Sequence, residues 1–159
     1  MNNILILYST KYGCSEKCAI ELSKELAGKV DLVNLVENNK IILTKYDIVI
    51  LGGSIYIGRI QKELTNFIKQ NTNELIKKEI GLFICCMMDG EGIEKQITEN
   101  FPPDLLKKAK SVEFFGGEFK FNKMNFMEKA IVKKVAKATS DKSDIRYENI
   151  KRMAMKLNN

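Results

Sequence analysis

Histidine is absent from the chain, and with it every mechanism that relies on an imidazole base or a histidine nucleophile. No Gly-x-Gly-x-x-Gly and no Gly-Lys-Ser/Thr occurs, so the dinucleotide fingerprint and the nucleoside-triphosphate loop are both missing. No uncharged apolar run approaches the ~20 residues that span a bilayer. The N-terminus lacks a basic segment followed by an apolar core and a small-residue cleavage site, which makes a cytoplasmic location the expectation. The cysteines, Cys14, Cys18, Cys85 and Cys86, show no Cys-x-x-Cys spacing. One pair sits a helical turn apart and the other points to opposite faces of a strand. They are expected to be buried free thiols, with no zinc or cluster site.

What is present fits one domain over 1–159 with a real hydrophobic core. Hydrophobic residues make up 45% and charged residues 29%, a soluble, globular balance. The net charge of +6 is unevenly placed. Residues 119–159 hold 11 Lys and Arg against 4 Asp and Glu, a net of +7, and the rest of the chain is close to neutral. A basic C-terminal quarter points to an anionic partner: nucleic acid, a membrane surface or an acidic substrate. No readout motif or set of stacking aromatics accompanies it, so nucleic acid is not expected.

The stretch Asn3–Ser15 organises the chain. Ile4, Leu5, Ile6 and Leu7 form the continuous apolar run of a strand buried on both faces of a parallel sheet. A loop rich in hydroxyls follows, with Ser9, Thr10, Gly13 and Ser15, and an amphipathic stretch begins near Cys14. Such a unit presents free backbone N–H groups and a positive dipole end at the carboxyl edge of a sheet, which suits one phosphate group. An ordinary capped turn would read the same way.

Further along, Asp47–Leu51 predicts a second buried strand, ending in Gly52-Gly53-Ser54-Ile55-Tyr56-Ile57-Gly58. Tyr56 offers a ring for a planar cofactor, or is a surface aromatic on a Gly-rich turn. A helix is expected from about Gln61 to Gln70. Ile80–Cys86 predicts another strand, whose loop carries Met87, Met88, Asp89 and Gly90; the methionines suit an apolar ring or simply fill gaps. Ile93–Asn100 and Pro103–Ala109 read as helices, and Val112–Phe119 as the last strand. Met124, Met127, Ile131, Val135 and Ala138 mark one apolar helical face, flanked by lysines over 122–139. That pattern fits a helix at a membrane surface or one packed on the sheet. Tyr147–Leu157 is the closing helix. Strand and helix alternate five times, which predicts an α/β sandwich of three layers, a five-stranded parallel sheet with helices on both faces.

Ile6-Leu7-Tyr8-Ser9-Thr10-Lys11-Tyr12-Gly13-Cys14-Ser15 resembles the FMN-phosphate loop of flavodoxins, with Ser15 for the usual final Thr. The resemblance implies FMN as cofactor, with Ser9, Thr10, Lys11, Tyr12, Gly13, Cys14 and Ser15 in the first loop. It also implies contacts from Ser54, Ile55, Tyr56, Ile57 and Gly58 in the second, and from Met87, Met88, Asp89 and Gly90 in the third. Phe115-Gly116-Gly117-Glu118-Phe119-Lys120-Phe121, the Met- and Lys-rich stretch and Asp141–Asp144 look like the menaquinone-dependent protoporphyrinogen dehydrogenases. In that family an inserted helical segment, here 119–143, follows a Gly-rich last strand. The family's segment is rich in Arg and aromatics, whereas Phe121–Phe126 here carries Asn122, Lys123 and Asn125.

Two functions are implied. One is an FMN-dependent oxidoreductase that oxidises protoporphyrinogen IX and passes electrons to a quinone, with the basic helix touching the inner face of the membrane. The other is an FMN carrier shuttling electrons between protein partners. A pI near 9.1 disfavours the second, because ordinary flavodoxins are acidic to suit basic partners. No side-chain acid or base is expected to be catalytic, since the flavin carries the redox step.

Overall fold

The computed structural model describes residues 1–87, 90–119, 127–130 and 142–159. Its frame is a parallel sheet of five strands: β1 (Asn3–Ser9), β2 (Lys29–Asn34), β3 (Ile48–Ser54), β4 (Glu79–Cys85) and β5 (Ser111–Phe114). They lie in the order β2-β1-β3-β4-β5, all parallel. Successive side chains of a strand point to opposite faces, so the apolar run of β1 divides between two cores. Ile4, Ile6 and Tyr8 join one, under α1 (Cys14–Glu25) and the closing helix α5 (Tyr147–Asn158). Leu5 and Leu7 join the other, under α2 (Lys62–Leu75), α3 (Glu91–Asn100) and α4 (Pro103–Lys108). A strand needs apolar residues at every position only when both faces are covered, which is why β1, β3 and β4 read as unbroken runs. The expected three-layer α/β sandwich is what the chain forms.

Each helix contributes one stripe. Cys18, Ala19 and Leu22 are the buried face of α1, and Ile150, Met153, Ala154 and Leu157 that of α5. At the exposed edge, β2 carries Lys29 and Asp31 beside a half-exposed Leu32; charge on an edge strand opposes pairing with other chains.

Two elements depart from expectation. The last strand does not run from Val112 to Phe119. It stops at Phe114, and Gly116, at φ 80°, turns the backbone into a separate strand, β6 (Gly116–Phe119). That strand pairs antiparallel with β7 (Lys142–Ile145), from Gly116 opposite Ile145 to Phe119 opposite Lys142. The helix expected after Gln61 also runs further, to Leu75, because Leu75 is buried and extends the stripe of Leu64, Phe67 and Ile68. The basic helix expected over 122–139 lies outside the described residues except at 127–130, which are helical.

One charged pair fastens α5 to the sheet. Glu113 is buried on β5, and Arg152 grips it with Nε to Oε1 at 2.9 Å and Nη2 to Oε2 at 2.6 Å, with Lys156 Nζ at 3.4 Å. Burial alone would raise the Glu113 carboxyl, but the two cations outweigh it and hold it below the usual carboxylate range. Arg152→Met should cost about 2 kcal/mol, less than for a fully buried pair because Arg152 is half exposed and Lys156 remains. The measurement is a thermal melt at neutral pH, with a drop of roughly 5 °C expected. A carboxyl depressed in the folded state stabilises above its unfolded pKa and loses that stabilisation as pH falls through the folded value. The gap between wild type and variant should therefore close in acid.

Candidate functional site

Loops leave the carboxyl ends of β1 and β3, which are adjacent strands whose following helices, α1 and α2, cover opposite faces of the sheet. A crevice opens where the winding reverses in this way. The first loop joins Ser9 to Cys14. Gly13 takes φ 96°, a left-handed backbone that disfavours any residue with a Cβ. Its N–H donates to Thr10 Oγ1 at 2.9 Å, closing the loop on itself. Gly13 is also the N-cap of α1, and no side chain caps that helix. The first-turn N–H groups stand at the sheet edge without a side-chain acceptor, at the positive end of the helix dipole.

The second loop is tied to the first through side chains. Ser15 Oγ and Ser54 Oγ share a hydrogen bond of 2.6 Å. The Ser54 N–H donates to Gln61 Oε1 at 3.1 Å, and the Ile55 N–H to the Cys85 carbonyl at 2.8 Å. Lys11 Nζ lies 3.4 Å from the Tyr56 ring centroid, a cation–π contact, and Tyr12 meets Tyr56 edge-on at 6.5 Å. Lys11 also stands 3.6 Å from Glu128 Oε2, so the helical turn 127–130 reaches this edge. Two buried donors at this edge, Ser9 Oγ and Gln61 Nε2, have no hydrogen-bond partner among the described residues. An unpaired buried donor costs about 1–3 kcal/mol, so a ligand rich in acceptors fits here. A shallow groove of about 270 Å³ runs beside Gly13 along α1. Glu16 and Glu21 line it against Lys17, which does not suit an anion.

Tyr56 and Arg59 bracket a two-residue turn, with N–H to carbonyl distances of 2.8 and 3.1 Å. Both central residues have positive φ, 48° at Ile57 and 74° at Gly58, as a type I′ turn requires. A β-branched residue is strained there, and Ile57 is 67% exposed, so core packing does not hold it. Ile57→Asn should therefore raise stability by about 1 kcal/mol, read as a higher urea midpoint.

The remaining site residues divide. Ser9 and Ser15 are fully buried, and Ile55 is half-buried against the core beneath α2. Met87 is half-buried against the ribbon, where the Cys86 N–H donates to the Gly116 carbonyl at 2.8 Å. Gly90 begins α3 at φ 69°, and Met88 and Asp89 lie outside the described residues. No motif singled out Gln61 or Glu128, since their places depend on tertiary contacts. Beneath the first loop, Cys14 converges with Cys18 and Cys85. Hydrogen bonds from the Cys18 and Cys85 thiols hold Cys14 below the ordinary thiol range, against the effect of burial, which raises it. The same contacts push the other two thiols up.

The flavodoxin domain family model matches residues 5–146. The chain belongs to the flavodoxin-domain family. It is 24% identical to a Leishmania major protein named protoporphyrinogen IX dehydrogenase [quinone], over 88% of this chain and 64% of that one. It thus spans just under two thirds of that relative's length. Among solved structures, rubredoxin oxygen:oxidoreductase from Desulfovibrio gigas superposes with a TM-score of 0.56 at 15% identity, covering 99% of this chain and 35% of that one. Two-electron reduced flavodoxin of Megasphaera elsdenii superposes at 0.55 and 14% identity, covering 70% of this chain and 84% of the other. At such identities the likeness speaks for the fold. In this flavodoxin domain the Ser15–Ser54 bond ties the start of α1 to the end of β3 at the crevice. Among the described residues, no helix is long and apolar enough to cross a membrane.

Proposed function

We propose that the chain is an FMN-dependent oxidoreductase that oxidises protoporphyrinogen IX and passes the electrons to a quinone. The cofactor is FMN, as the family and the acceptor-seeking edge support. The observation that carries the reading is the uncapped start of α1 joined to the second loop through Ser15 and Ser54. Thr10, Lys11, Gly13, Cys14 and Ser15 hold the phosphate, and Ser54, Tyr56 and Met87 line the ring region. When bound, FMN supplies the reversible acceptance of electrons. The protein's part is to orient and to set the local charge, with Lys11 over the Tyr56 ring. The substrate and the quinone rest on the Leishmania relative. The chain works as one flavodoxin-like domain, with 119–143 as a basic insertion that receives porphyrin carboxylates or anionic lipid at the membrane.

The flavodoxin domain also suits a second reading, an FMN carrier serving a protein redox partner. The deciding experiment is anaerobic: FMN-loaded protein, protoporphyrinogen and a menaquinone analogue, with porphyrin fluorescence followed in time. A rise that needs both flavin and quinone establishes the dehydrogenase. A flat trace from yellow, flavin-loaded protein leaves the carrier.

A further inference from the structure

Cys14 belongs to the phosphate loop of the proposed function, Cys18 and Cys85 serve neither reading, and the arrangement of the three thiols is specific. Cys14 and Cys18 sit one turn apart on α1, and Cys85 arrives from the end of β4. Their sulfurs all lie within 4.8 Å of one another, and all three side chains are buried. Cys86, the next residue, turns into the opposite core beneath α2 and stays apart. We propose that Cys14, Cys18 and Cys85 form a trithiol site for a soft trivalent centre of the arsenic(III) or antimony(III) type.

Three features select that class. Sulfur donors select soft centres. The donor count is three, because no fourth metal-ligating side chain joins the group among the described residues, whereas structural zinc takes four. Charge then decides. Among the described residues, the charged groups that act on Cys14 are Lys17 and Glu118, which neutralise one another at 3.2 Å, so neither is left to compensate a buried anion. Three thiolates leave a net charge of −2 around Cu(I) and −1 around Zn(II), which is costly in a dry interior. Around As(III) the charge is zero. The balance is simple: As(OH)₃ and three S–H groups give As(SR)₃ and three waters. Three As–O and three S–H bonds break, three As–S and three O–H bonds form, and no electrons move.

The test is anaerobic titration of the FMN-loaded chain with arsenite, read by native mass spectrometry with flavin content followed in parallel. One equivalent should bind, with a mass gain of one arsenic less three hydrogens. Because each thiol after the first binds intramolecularly, Cys18→Ser and Cys85→Ser should each weaken binding by about 10²–10⁴-fold. Cys86→Ala should bind as wild type does. Should a serine variant fail to fold by circular dichroism, Cys18→Ala or Cys85→Ala replaces it. No adduct on wild type, an adduct that retains an arsenic-bound hydroxyl, or loss of binding in Cys86→Ala overturns the site. The adduct mass is read separately from flavin content, so failure here leaves the redox reading intact.

Discussion

Gly13→Asp should leave the protein colourless. The substitution places a carboxylate at the uncapped start of α1, where the phosphate of FMN is held under the proposed function. Two anions brought together cost several kcal/mol, and 3 kcal/mol already corresponds to roughly a hundredfold in affinity. The left-handed φ of 96° adds strain, though Asp and Asn tolerate that region better than other residues. Gly13→Asn therefore separates backbone from charge and should retain most of the flavin. The measurement is flavin absorbance per protein after extensive dialysis. Stoichiometric flavin in the Asp variant would remove Gly13 from the phosphate site.

Gly52→Ala should be severely damaging for so small a change in the core. Gly52 lies in the middle of β3, directly opposite Phe83 of β4. A Cβ built there would overlap the Phe83 ring, which lies over the glycine and fills the space a side chain would take. Phe83 cannot step aside, because it is fully buried and stacked on Phe115 with centroids 4.6 Å apart. Overpacking of this kind costs about 3 kcal/mol, or roughly 10 °C in Tm. The clash is pairwise, so adding Phe83→Leu should restore part of the loss and give a non-additive double mutant. Equal Tm values for wild type and Gly52→Ala would refute the close approach.

Much of this frame was legible in the residues. The runs Ile4–Leu7, Asp47–Leu51 and Ile80–Cys86 placed three strands, because a doubly covered strand announces itself by lacking polar positions. The ribbon of β6 and β7 was not legible. Its two strands pair across residues 120–141, and Lys142–Ile145 carries little apolar patterning of its own. The hydroxyl loop was visible as Ser9-Thr10 and Ser15, but not that Ser15 would meet Ser54, a contact set by the order of strands. The cysteines show the same limit. Their spacing along the chain predicts isolated buried thiols, and only the arrival of β4 beside α1 brings a third sulfur to the first two. Strain at Ile57 has no sequence signature either, since Ile-Gly is an unusual pair for a type I′ turn.

The ribbon also bears on how such a chain can diverge. Its antiparallel pairing brings Phe119 and Lys142 opposite one another, so everything between them begins and ends at one point. Closing a longer or shorter loop there changes the entropy only slowly with length, and no strand of the parallel sheet shifts register. A change of length between 119 and 142 is thus confined to one edge of the scaffold. Because Glu128 meets Lys11, whatever is grafted in alters the neighbourhood of Tyr56 at once, and new specificity could be acquired without reinventing the scaffold.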